Sequence, residues 1–135
     1  MDIFIQDLPP DAKRIEDIPS DFKAQPLGSR SLIIEKIRRA VPKADFSDPA
    51  WGKIYLPGCH IEVNLGESDN VDGVALHVRG DDSAPGVVAA IVDALGLRAL
   101  DPAADNGFFD RQRAEESFRR AYRDQALGGQ RRERI

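Results

Sequence analysis

Polar side chains that can do acid–base or metal chemistry recur at every second position in two neighbouring stretches, residues 60–65 and 74–79. Alternation with a period of two is typical of half-buried β-strands, so each stretch has one apolar and one polar face. The polar loop between them allows the two strands to pair as an antiparallel hairpin. The polar positions of interest are His60, Glu62, Asn64, His77 and Arg79.

The register of this hairpin decides which polar side chains face each other. Apolar positions are odd-numbered in the first strand and even-numbered in the second, so the numbers of facing residues add to an odd value. In one allowed register Glu62 faces His77 and His60 faces Arg79. In the other, Glu62 faces Arg79 and Asn64 faces His77. Either register brings an acid, an imidazole and a guanidinium within about 4.5 to 8 Å on one face.

Three interpretations of this polar face stay open. Glu62 can orient His77 as a general acid or base, or His60, Glu62 and His77 can form the two-His, one-carboxylate set of open mononuclear metal sites. The face can instead be an interaction surface made by Glu62, Asn64, His77 and Arg79. The simplest interpretation is a solvated ladder of ion pairs, each worth about 0.2 to 1 kcal/mol.

Composition and length describe an ordinary folded domain. The 135 residues are 41% hydrophobic and 31% charged, too apolar for disorder and enough for one core. The longest purely apolar run, 87–92, is far shorter than the ~20 residues of a membrane helix. Residues 1–8 hold two acids and no base, unlike a signal peptide, and the single Cys59 has no partner for a disulfide. We therefore expect a cytoplasmic protein that does not associate with membranes.

The net charge of −4 hides an asymmetry between the body and the end of the chain. Residues 1–110 carry 11 Lys and Arg against 19 Asp and Glu, a net charge of −8, whereas residues 111–135 carry eight Arg against four acids, a net charge of +4. An acidic body argues against nucleic-acid binding and is compatible with a basic protein partner. The Arg-rich end is most simply a solvated helix and tail. The oligomeric state is left open.

The remaining pattern predicts an α+β fold. The expected order is strand (1–8), helix (29–41), three strands (51–56, 59–65 and 74–79), helix (83–95), strand (97–100) and helix from 110. This βαβββαβα order predicts two layers, with a mostly antiparallel sheet and helices on one face, a ferredoxin-like variant with an added strand. We expect one domain over 1–127, with an irregular Pro-rich loop at 9–28, and a flexible tail over 128–135.

Capping residues predict where the helices begin. Ser29 or Ser31 can cap the first helix, Asp82 or Ser83 the second, and Asp110 the third. The third helix has a narrow apolar stripe of Ala114, Phe118, Ala121 and Tyr122. The single tryptophan of the chain opens a predicted strand at position 51, where it serves either as a packing residue or as a platform for a ligand.

Several segments together resemble a family of small bacterial proteins with no assigned activity. They are MDIFIQDLP at 1–9, DFSDPAWG at 45–52, IEVNLG at 61–66, LHVRG at 76–80 and LRALD at 97–101. The resemblance spans most of residues 1–110 and leaves the Arg-rich end uncovered. It implies a bacterial, cytoplasmic context and brings no catalytic residues.

No phosphate-binding Gly-rich loop, nucleophile elbow or HExxH motif occurs in the chain, so we expect no cofactor. The favoured hypothesis is a small, non-enzymatic protein-binding domain, and an immunity or inhibitor role against a basic toxin fits its charge. The alternative is a small-molecule or metal site, enzyme-like in character, on the polar face of the 61–79 hairpin.

Overall fold

The part of the chain that the structure describes contains seven strands and three α-helices. A computed structural model describes the backbone of residues 1–133 and the side chains of residues 1–125. The strands are β1 (Asp2–Gln6), β2 (Gly28–Ser29), β3 (Trp51–Leu56), β4 (Cys59–Asn64), β5 (Asn70–Val71), β6 (Val74–Gly80) and β7 (Arg98–Leu100). The helices are α1 (Arg30–Ala40), α2 (Ala84–Leu95) and α3 (Arg111–Glu133).

Five of the strands form one sheet in the order β3-β4-β6-β1-β7, and every neighbouring pair is antiparallel. The inner order β4-β6-β1-β7 is that of the ferredoxin-like plan, and β3 is added at the edge beside β4. Helix α2 packs between α1 and α3 and contacts β4 and β6. The predicted α+β fold of two layers, with helices on one face of an antiparallel sheet, is confirmed.

The core lies between the sheet and the helices because alternate strand residues point to the same side. On β4 and β6 these are the residues that the alternation predicted. The fully buried large side chains are Ile3, Ile5, Ile33, Ile37, Ile54, Ile61, Leu76, Ile91, Val63, Val71, Val74 and Val78. Each such side chain contributes about 1.5 to 3 kcal/mol when it leaves water, so this layer contact is the main source of stability.

Each helix begins directly after a predicted cap residue, Ser29, Ser83 or Asp110, and in α1 and α3 the side chain of that residue accepts a capping hydrogen bond. The Ser29 hydroxyl accepts a hydrogen bond from the Leu32 amide at 3.3 Å, and Asp110 accepts one from the Arg113 amide at 3.0 Å. The predicted stripe of α3 is wrong beyond Phe118, because Tyr122 is 67% exposed. Helix α3 therefore runs past the body it packs on.

A second, two-stranded sheet joins the end of the Pro-rich loop to the loop between β4 and β6. Strand β2 pairs with β5, and the Leu27 amide donates to the Val71 carbonyl at 2.7 Å. The Arg30 guanidinium binds the Pro49 carbonyl at 2.8 Å and the Ser68 carbonyl at 2.7 Å. The sequence predicts only irregular loops here, because two-residue strands carry no periodic signal.

Both edges of the five-stranded sheet are partly covered by other parts of the chain. At the β3 edge, Asp45 and Lys53 exchange two backbone hydrogen bonds of 2.8 and 2.9 Å. At the β7 edge, the Phe109 amide donates to the Ala99 carbonyl at 2.9 Å, and the Asp101 amide donates to the Gly107 carbonyl at 2.8 Å. Segments flanking the strands thus satisfy groups that would otherwise face solvent.

The predicted flexible tail over 128–135 lies outside the residues whose side chains are described, and it stays a prediction. Within the described chain, none of the helices combines the length and the apolar character that crossing a membrane requires.

Gly80 provides a test of the close contact between the β3–β4 turn and the end of β6. Its φ is +146°, and an added Cβ would collide with the Gly58 carbonyl. Gly80→Ala should lower the free energy of unfolding by about 3 kcal/mol, since strain and a backbone clash coincide. Gly96→Ala is the matched control, with φ of +65° and open space around the added carbon; it should cost about 1 kcal/mol. Urea unfolding measures both, and equal losses would contradict the contact.

Candidate functional site

The side of the sheet that faces away from the helices carries the polar residues identified from the sequence, and we call it the open face. It follows from the alternation, because the residues before and after each buried strand residue point to the other side of the sheet. The residues of the open face are Asp2, Phe4, Gln6, Trp51, Lys53, Tyr55, His60, Glu62, Asn64, Ala75, His77, Arg79, Arg98 and Leu100.

The first of the two allowed hairpin registers is the one found. Glu62 is paired with His77, and His60 with Arg79, while Asn64 lies opposite Ala75. All four residues of the candidate binding face, Glu62, Asn64, His77 and Arg79, therefore lie on the same side of the sheet.

His77 is the most strongly engaged side chain of the open face. Its Nδ1 lies 2.9 Å from a carboxylate oxygen of Asp2, which comes from the neighbouring strand β1. The imidazole also stacks on the Trp51 indole, with 5.8 Å between ring centres and 19° between ring planes. Glu62 lies opposite His77 in the register, but the hydrogen bond that orients the ring goes to Asp2. Asp2 replaces Glu62 in the role that the sequence suggested for it.

Charged groups alternate across the strands at the level of His77. Lys53 pairs with Glu62, Glu62 with His77, and His77 with Asp2, so the row runs across four strands. Such pairs on an exposed sheet face add modestly to stability. Among the described residues, His77–Asp2 is the one of these register pairs whose charged atoms form an ion pair, at 2.9 Å, so the ladder interpretation stays a prediction.

Aromatic groups are the feature of the open face that the sequence analysis underestimated. Tyr55 is 56% exposed, and its ring lies 4.9 Å from the ring of His60. Phe4 is 37% exposed. Trp51, half-buried, stacks on His77. The alternation of Phe4 with Ile3 and Ile5 was enough to assign Phe4 to this face. It could not show which residues of the other strands lie beside Phe4.

The proposed metal ligands share the face without converging. His60, Glu62 and His77 lie on paired strands, yet among the described residues no three His, Cys, Asp or Glu side chains form a group able to hold a metal ion. His60 is directed to Tyr55, and His77 to Asp2 and Trp51.

A cavity of about 430 Å³ opens at one end of the open face, next to the loop between β4 and β6. Phe4, Asn64 and Ala75 belong both to the open face and to its lining. The loop adds the carboxylates of Glu67 and Asp72. The cavity therefore continues the open face with acidic and aromatic walls.

The pKa of the Asp2 carboxyl is lowered, first by the hydrogen bond from His77 and further by the positive charges of His77 and of the chain's amino terminus. A lowered carboxyl pKa means that the ionised form is the one stabilised by folding. The pairing is therefore present above the ordinary range of Asp titration and is lost as the pH falls through the lowered value.

No protein-family model matches this chain, and it matches no curated protein and no solved structure. These comparisons do not bear on the resemblance to small bacterial proteins, which stays an expectation.

Cys59 offers a test of the buried side of the same hairpin. It is 1% exposed, and burial, together with the negative charge of Asp81, raises the pKa of its thiol to about 11. Because the thiolate is the reactive form, Ellman's reagent at pH 8 should label the native protein at least about a hundredfold more slowly than the urea-unfolded chain. Equal rates would show that Cys59 is accessible and ionisable.

Proposed function

We propose that this chain is a small, non-enzymatic domain that captures a basic protein on its open face. The observation that carries the proposal is the set of rings on the sheet face turned away from the helices: Trp51 stacked on His77, and Tyr55 against His60. An antiparallel sheet commonly leaves one face to solvent, but that face is then mainly polar. Here it is aromatic as well as charged.

Aromatic side chains are enriched where proteins bind one another, because each removes a large area from water while giving up few rotamers. Trp51 and Tyr55 already contact neighbouring rings in the free protein. Their ordering on binding therefore costs less than that of mobile side chains, which favours affinity. The exposed Phe4 extends the same surface toward the cavity.

The charge of the partner is inferred from the surroundings of the open face. The cavity at its end contains Glu67 and Asp72 and no Lys or Arg in its lining. Residues 1–110 as a whole carry a net charge of −8. Complementary potentials speed the encounter of two proteins and exclude partners of the same sign. A partner with a basic contact surface fits this field best.

An immunity or inhibitor role against a basic toxin is the finer form of this proposal, and its support is the charge of the body. A cytoplasmic site of action is supported by the single, buried Cys59, which needs no oxidising compartment.

A ligand site is the second candidate, favoured by one observation. His77 bound to Asp2 has the arrangement in which a carboxylate orients an imidazole for acid–base chemistry. A thermal-shift screen with metabolites should then give a shift in the native protein that His77→Ala loses. At 100 times its dissociation constant a ligand adds about 2.7 kcal/mol. Equal shifts in both proteins would remove His77 from the site.

Capture with matched variants tests the protein-binding proposal. The bait carries a C-terminal tag, which leaves Asp2 and the open face untouched. We expect Glu62→Ala with Arg79→Ala to reduce capture of a basic protein at least about tenfold, the effect of losing about 1.4 kcal/mol of binding free energy. The control removes another exposed ion pair, Glu35→Ala with Arg39→Ala on α1, and should leave capture unchanged.

Thermal melts of both double variants establish that each is folded. The proposal is contradicted if the open-face variant captures the same protein as well as the native chain does, or if the α1 variant loses it equally.

A further inference from the structure

We infer that His77 makes the open face responsive to pH, so that protonation of its imidazole weakens the hold on a basic partner. This inference rests on the proposed function, because it assigns a means of regulation to the same surface. It is drawn from the position of His77 among the charged groups of four strands.

Every strand next to His77 contributes a charged or titratable group. From β1 come the Asp2 carboxylate, at 2.9 Å from Nδ1, and the amino group of Met1. Strand β4 places Glu62 directly opposite, with His60 two residues away. The remaining groups are Arg79 on β6 itself and Lys53 on β3, which pairs with Glu62.

The imidazole lies between two carboxylates, one on each neighbouring strand. While it is neutral, the charges of Asp2 and Glu62 are available to a basic partner. A proton on the ring puts a positive charge between them and repels a cationic side chain that approaches the same place. Histidine is the side chain that ordinarily makes this change between pH 5 and 8.

The hydrogen-bonding capacity of the face changes with the charge. A carboxylate only accepts hydrogen bonds, so Nδ1 carries a hydrogen and donates it to Asp2. In the neutral ring Nε2 is then an acceptor, and in the protonated ring it becomes a second donor. A lysine or arginine of a partner can donate to the first form only.

Trp51 gives a direct readout, since it is the single tryptophan of the chain and it stacks on the ring in question. A protonated imidazole quenches indole emission more strongly than a neutral one. Between pH 8 and pH 5 the emission of the native protein should fall in one transition. His77→Gln should abolish that transition. His60→Gln is the matched control, because it removes the only other histidine and should leave the transition in place.

A deca-arginine peptide serves as the basic probe, and Trp51 emission at low ionic strength reports its binding at the open face. Between pH 7.5 and pH 5.5 the affinity should fall about fivefold in the native protein, the factor for one added unit charge near 4 Å in water. His60→Gln should retain the fall, whereas in His77→Gln the fall should be clearly smaller.

The inference is overturned if Trp51 emission has no transition in the native protein, or if His77→Gln keeps the transition. The inference is also overturned if the peptide binds with equal affinity at the two pH values, or if it does not bind at either. The capture experiment with the Glu62 and Arg79 variants fails or succeeds independently, because the emission transition needs no partner.

Discussion

The antiparallel pairing of β4 with β6, in the register that sets Ile61 beside Val78, is the constraint on which the rest of the molecule depends. Side chains alternate along a strand, so a slip of one residue would turn one strand over, burying either Glu62 or His77 and exposing the apolar side chains of that strand. Burial of those apolar side chains beneath α2 excludes the slip. The open face is thus a consequence of the core, and its residues cannot be rearranged without dismantling the layer contact.

Local patterns were enough to predict the order of the elements and the class of the fold. The period-two alternation of β4 and β6 limited the hairpin to two registers that differ by two residues. Both registers keep Glu62, His77 and Arg79 on one face. The choice between them depends on the geometry of the connecting loop. Within that loop, β5 pairs with β2. The polar sequence of the eight-residue loop does not indicate this pairing.

The neighbours of His77 were beyond local patterns because they come from strands distant in sequence. Asp2 is 75 residues away and reaches His77 only because β1 inserts between β6 and β7. Trp51 arrives from the added strand β3. The prediction for Tyr122 was wrong for a different reason. Helical spacing placed it on the apolar stripe, but the surface on which α3 packs ends before that turn of the helix. Periodicity identifies the face of an element, whereas the extent of the surface it packs on is a property of the whole fold.

The partly covered edges of the sheet restrict how this protein can associate with others. A partner segment that adds a strand to a sheet needs a run of free main-chain donors and acceptors at an edge. Asp45 interrupts that run on β3, and the 107–109 segment covers β7. Main-chain recognition, which tolerates most sequences, is therefore closed at these positions. A protein that binds the open face as proposed would have to be selected by side-chain contacts, so its identity would be sensitive to single substitutions on both surfaces.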